Sequence, residues 1–239
     1  MPFTLSWGKF GLQFLTVLAA FALASAVPIL LLGQSGLGLA LSAFGSMGGA
    51  LLAAWLWLRR EGAVAAAFDL SEPASWSRTL AAGLVATFAI LAILIGGGRL
   101  MDALGLGAPN TLDVMTIIRE SPWMLLLWIS LVAWGAAAFG EELLWRGFLI
   151  DRLSRLKGLA GRPPAIIAVQ AAIFALPHAY QGLGGVVVTG AVGLYLGWLR
   201  MRMNGNLWAL IFAHGLVDTT MLTAGYFDAF ALVAEAFER

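Results

Sequence analysis

Long apolar runs separated by short polar breaks organise this chain, and most of the runs match the thickness of a bilayer. A hydrocarbon core takes about 20 consecutive apolar residues in a helix. Windows of this kind fall at 10–32, 37–58, 79–98, 122–146, 165–180, 183–199 and 207–225. They predict an all-α fold, a polytopic membrane helical bundle of about seven transmembrane helices. The fifth window is short, so tilt or a break is expected there. A weaker apolar stretch at 226–237 reads as an interfacial tail or as part of the last helix. The longest polar connection, 99–121, has the makings of a short surface helix beginning near Thr111. No internal repeat is visible, and no soluble stretch is large enough to fold alone. The chain therefore divides into N-terminal spans and an extracytoplasmic loop (1–119), a polar-bearing core (120–225) and a C-terminal tail (226–239).

The first window also contains a small-x-small pattern at Ala24-Ser25-Ala26. A cleaved leader turns polar soon after its cleavage site. Here the apolar run continues past Pro28, so the window reads as a retained helix.

Composition agrees with the pattern. Of 239 residues, 61% are hydrophobic and only 11% charged, where a soluble domain carries about a quarter charged. Mean hydropathy is +0.89. The chain reads as an integral membrane protein, with the lipid bilayer as its standing partner. A net charge of +1, without a basic stripe, leaves nothing for nucleic acid to meet. Cysteine is absent and histidine occurs twice, which removes disulfides, thiolate metal sites and a cysteine nucleophile.

Lysine and arginine sort by side. Lys9, Arg59, Arg60, Arg78, Arg152, Arg155, Lys157, Arg162, Arg200 and Arg202 fall together if seven helices cross and the N-terminus is cytoplasmic. The opposite side keeps Arg99, Arg119 and Arg239. The expected location is a bacterial inner membrane.

Against this background the ionisable residues inside the windows stand out, because each costs roughly 2.5–3.5 kcal/mol to insert. They are Glu141, Glu142, Arg146, His178, His214 and Asp218. At about 1.5 Å per residue, Glu141 lies roughly 15 Å from the cytoplasmic Asp151, His178 roughly 20 Å and His214 roughly 10–12 Å from their helix starts. Acid and imidazole groups from separate helices thus share one slab on the cytoplasmic side of the midplane, which reads as one site. Successive helical residues point about 100° apart, so Glu141 and Glu142 serve different ends. Glu142 and Arg146 have the i, i+4 spacing of a helical ion pair. That leaves Glu141 free for general-base chemistry, unless both acids simply pair with arginine or water near a helix end. Phe174 lies one turn before His178, and Pro177 kinks the helix at the imidazole. His214 and Asp218 share a face, either presented to a ligand or merely satisfying one another.

These residues form three ordered patterns, Glu141-Glu142-Leu-Leu-Trp-Arg146, Phe174-Ala-Leu-Pro-His178 and His214-Gly-Leu-Val-Asp218. They resemble the EExxxR, FxxxH and HxxxN/D motifs of the CAAX prenyl protease and bacteriocin-processing family of intramembrane endopeptidases, also called the ABI family. The likeness covers about residues 120–225. It implies a membrane-embedded peptide hydrolase open toward the cytoplasm. Glu141 would activate water with help from His178, while His214 and Asp218 would bind the scissile carbonyl and stabilise its oxyanion. Glu142, Arg146 and Phe174 would support them. Position 218 departs from the asparagine of eukaryotic prenyl proteases, and an ionised aspartate cannot donate a hydrogen bond. Asp218 is then protonated, orients His214, or ligates a metal.

The cofactor stays open between zinc (Zn2+) and none. Glu141, His178 and His214 are a possible zinc set of two histidines and one carboxylate, although the HExxH pattern of soluble zinc proteases is absent. The expected partner is a peptide or membrane-protein substrate of unknown identity. Two other readings use the same polar cluster: a catalytically inactive scaffold or immunity protein, and a proton-coupled transporter. The small residues from Gly182 onward allow close helix approach, with the fourth or seventh window as the expected neighbour.

Overall fold

The computed structural model describes residues 4–228. All of its regular elements are helical. They are α1 (Trp7–Leu32), α2 (Gly36–Arg60), α3 (Val64–Ala67), α4 (Trp76–Ala103), α5 (Leu112–Ile118), α6 (Pro122–Leu127), α7 (Ile150–Ser154), α8 (Pro163–Ala175), α9 (Gly182–Arg202) and α10 (Trp208–Tyr226). Between α6 and α7 the chain winds continuously as a π-helix over Trp128–Leu149. Between α8 and α9 it makes a 3-10 turn, Leu176–Gln181.

Serine starts the long elements. Ser6, Ser35, Ser75 and Ser121 each accept a hydrogen bond from a backbone N–H in the first turn of α1, α2, α4 and α6, satisfying a donor that the helix leaves without a partner. Pro122 follows Ser121, where its missing N–H costs nothing. The short surface helix expected near Thr111 is α5, with Thr111 as its N-cap residue.

Five helical segments are long and apolar enough to cross a membrane: Trp7–Leu32, Gly36–Arg60, Trp76–Ala103, Pro122–Ser154 and Pro163–Arg202. The fourth of these extends the 122–146 window by more than two turns. The last is a hairpin, because α8 and α9 run antiparallel. Gly190 faces Ala175, Gly193 faces Ala171 and Phe174, and Gly197 faces Ile167 and Gln170. A Cβ on Gly193 would lie 3.1 Å from the Ala171 backbone, so glycine sets this close approach. The small residues of α9 thus seat α8, which corrects the expectation that they meet the fourth or seventh window. The 165–180 window also ends early as an α-helix, at Ala175, immediately before the turn that contains Pro177. α10 is not among the five, because His214, Asp218 and its threonines dilute its hydropathy. It packs against α4, α5, α6, α9 and the π segment, so protein rather than lipid surrounds much of it. Residues 229–239, most of the expected tail, lie outside the described residues.

The π segment is central. It packs on α2, on α8 and on α10. The start of α1, the end of α2 and α7 meet at one end of the bundle, where Glu61 binds Lys9 at 2.7 Å, Gln13 at 2.9 Å, and Arg152. The backbone N–H of Leu5 donates to Arg155 O there. Arg200 and Asn206 reach Ala66 O and Ser71 O at the same end. The α8–α9 turn reaches the loop before α5, where Asn110 N–H donates to Gln181 O.

Candidate active site

The π segment carries the paired acids inward. Glu142 and Arg146 have no exposed surface and are joined by an ion pair of 3.0 Å between Arg146 Nη1 and Glu142 Oε1. A buried guanidinium needs more than one neighbour. Phe174 supplies it by laying its ring face 4.0 Å from the Arg146 guanidinium carbon, a cation–π contact strengthened by the dry surroundings. Trp145 meets the same ring edge-on at 6.1 Å. Phe174 is therefore the support on which Arg146 rests.

Glu142 does more than pair with Arg146. His214 Nδ1 lies 2.7 Å from the same carboxylate oxygen, Oε1. A carboxylate only accepts, so Nδ1 is the donor and carries hydrogen. On its other side His214 Nε2 stands 3.7 Å from Asp218 Oδ2, within ion-pair distance but beyond a hydrogen bond. Gly215 allows this closeness between helices. A Cβ there would sit 2.7 Å from the Trp134 ring of the π segment, so any larger residue would push α10, and His214 with it, outward.

His178 is held from behind. Its Nδ1 contacts Phe174 O at 3.1 Å, and since a carbonyl only accepts, Nδ1 donates. In the neutral ring that leaves the Nε2 lone pair available. Tyr180 stacks on the imidazole at 6.3 Å. Glu141, half-buried, and His178 line one cavity. Pro177, Leu144, Trp145 and Phe148 border it as well. His214 and Asp218 do not line this cavity, although Glu141 is close enough to both to feel their charge, as it does those of Arg146 and Glu142. His178 likewise feels His214 and Arg146.

All of the residues singled out from sequence are thus brought together, in two linked parts. Glu141 and His178 share a cavity, and Glu142 holds His214 behind it. The possible zinc ligands do not assemble: among the described residues no three His, Asp or Glu side chains are gathered to hold a metal ion. His214 faces Glu142 and Asp218. The sequence did not reveal the Glu142–His214 bond, which joins positions 72 apart. It also did not reveal that α1 and α2 complete the cavity. Phe14, Val17, Leu18 and Phe21 on α1 and Met47 and Ala50 on α2 form its far wall. The i, i+3, i+4, i+7 spacing of the α1 residues was readable, but α1 is apolar on every side, and a face cannot be told from its back in such a helix.

Residues 122–220 match the family model of type II CAAX prenyl endopeptidase Rce1-like proteins. The resemblance to CAAX prenyl proteases carried by the three motifs is shown over that segment, which spans α6 to α10 and holds the whole polar cluster. No curated protein matches the chain, and no solved structure matches it either.

Proposed function

We propose that this protein is an intramembrane endopeptidase that hydrolyses a peptide bond of a membrane-associated protein or peptide, using water activated by Glu141. The observation that carries this reading is the shared cavity of Glu141 and His178, beside a second carboxylate already committed to Arg146 and His214. Glu141 removes a proton from water as the oxygen attacks the scissile carbonyl carbon, and the carbonyl electrons move onto oxygen. The tetrahedral oxyanion needs donors. His214, oriented through Nδ1 by Glu142, serves as the imidazolium, with hydrogen on both nitrogens, and donates through Nε2, which Asp218 keeps aimed. Collapse of the intermediate breaks the C–N bond, and the proton held by Glu141 passes to the leaving amine. His178, with Nδ1 bound to Phe174 O, keeps Nε2 for the water. Each step uses the chain's own groups.

Seven crossings with the N-terminus in the cytoplasm, in a bacterial inner membrane, fit this chemistry. In this reading the α8–α9 hairpin contributes two crossings and α10 one, beyond the apolar segments α1, α2, α4 and Pro122–Ser154. Gathering of the lysine- and arginine-rich connections at one end of the bundle supports that orientation.

Cleavage of membrane-anchored peptides by purified protein, run with wild type and Glu141→Gln and with and without chelator, tests the reading. The expected result is cleavage that survives chelation and falls by about 10²–10⁴-fold in Glu141→Gln. Cleavage lost to chelator and restored by zinc would replace Glu141 chemistry with metal chemistry. Equal cleavage by the variant would end the proposal.

A further inference from the structure

The wall of the cavity opposite Glu141 and His178 is built outside the segment that matches the protease family. Phe14, Val17, Leu18 and Phe21 come from α1, and Met47 and Ala50 from α2, whereas the match begins at residue 122. The α1 residues follow the i, i+3, i+4, i+7 pattern of a single helix face. None of the six has a side-chain group that donates or accepts strongly. The acid–base groups bordering the cavity are Glu141 and His178.

α1 is also the least enclosed of the long helices. Its buried residues are Gln13 and Val17, and its packing partner is α2. Leu18 keeps 40% of its surface and Phe21 36%, so part of this face is not used up in packing the protein against itself. Catalytic groups and apolar wall border one volume. A side chain seated on α1 while its backbone lies at Glu141 must therefore belong to a residue flanking the bond to be cut. A charged side chain would enter unpaired and bear its desolvation cost in full.

We propose that α1 sets the substrate selectivity of the site, with the face formed by Phe14, Val17, Leu18 and Phe21 receiving the apolar side chain that flanks the scissile bond. This rests on the endopeptidase reading. Catalysis and selectivity then reside in separate parts of the chain, the first within 122–220 and the second in the N-terminal helices.

The test has two arms, both on the full-length protein in nanodiscs of phosphatidylethanolamine and phosphatidylglycerol. In the first, membrane-anchored peptides carrying Ala, Leu, Phe or Lys next to the cleaved bond are compared by kcat/KM. Leu18→Ala enlarges the wall and is expected to raise the Phe-over-Ala ratio on the order of 10-fold, while Val17→Phe fills it and lowers the ratio by a similar factor. Leu30→Ala, on lipid-facing surface, leaves the ratio unchanged. In the second arm the same peptide carries a diazirine leucine at that position and is photo-crosslinked to the Glu141→Gln protein, with labelled residues mapped by mass spectrometry. Labels at 14–21 that excess Leu or Phe peptide removes support the wall. Ratios unchanged in both variants while cleavage proceeds would overturn the inference and leave the endopeptidase standing. Labels on α1 without cleavage of any peptide by wild type would overturn the endopeptidase reading, and the inference with it. Labels displaced by added phospholipid but not by peptide would overturn the inference in favour of a bilayer lipid.

Discussion

Glu142 serves two donors through one oxygen, accepting from Arg146 at 3.0 Å and from His214 at 2.7 Å. The two contacts have different consequences. Removing one partner of a buried ion pair costs about 3–5 kcal/mol, because the remaining charge stays buried and unpaired, whereas replacing both with apolar groups of similar volume is often neutral. Glu142→Leu should therefore lower the thermal midpoint sharply, and Glu142→Leu combined with Arg146→Met should recover most of it. Activity should not recover. His214 in the double variant lacks the carboxylate that orients it, and a misplaced oxyanion donor loses on the order of 10²-fold in kcat. Stability and kcat measured on the same preparations separate the two roles. Parallel recovery of both would mean that Glu142 matters only as the counter-ion of Arg146.

At the scale of the helices, close approach is set where a side chain is missing. Gly215 sits against Trp134 so tightly that a Cβ would come within 2.7 Å of the ring. Gly215→Ala is expected to cost about 1–3 kcal/mol of stability and to lower kcat well beyond what the remaining folded fraction explains, because His214 is the adjacent residue. Trp134→Leu in the same chain frees the space and should restore part of kcat; failure of that rescue would place the defect elsewhere than in the position of α10. Much of the helical pattern was legible because apolar runs of bilayer length report themselves. The i, i+4 pairs were legible for a similar reason: Glu142–Arg146 and His214–Asp218 lie within one helix each. Neither the π winding of Trp128–Leu149 nor the bond from Glu142 to His214 had a local signal. The fifth window ended sooner than hydropathy suggested, since hydropathy does not register the 3-10 turn around Pro177. The glycines of α9 announced a close neighbour, but that neighbour is α8 and not the fourth or seventh window that was expected.

The whole molecule depends on how α1, which packs mainly on α2, stays beside a cavity formed largely by other helices. Glu61, at the end of α2, is the tie. It accepts from Gln13 of α1 and pairs with Lys9 of α1 and with Arg152 of α7, while Arg152 and Arg155 also bind Asp151. Burial alone would raise the Glu61 carboxyl, but the hydrogen bonds and charges of Lys9 and Arg152 outweigh it and hold the group below its ordinary 4.5. A carboxyl depressed in the folded state adds stability that is present above the unfolded value, and the addition is lost as pH falls through the folded one. Glu61→Gln should accordingly lower the thermal midpoint near neutral pH, and the gap from wild type should close as the pH drops below 4.5. If the tie also keeps α1 against the cavity, the variant loses selectivity between Phe and Ala peptides before it loses cleavage, because Glu141 and His178 are carried by the π segment and the 3-10 turn and not by α1. A gap independent of pH would show that the ionised carboxylate of Glu61 contributes nothing to holding α1. A fall in cleavage with selectivity intact would show that α1 braces the catalytic core rather than the substrate.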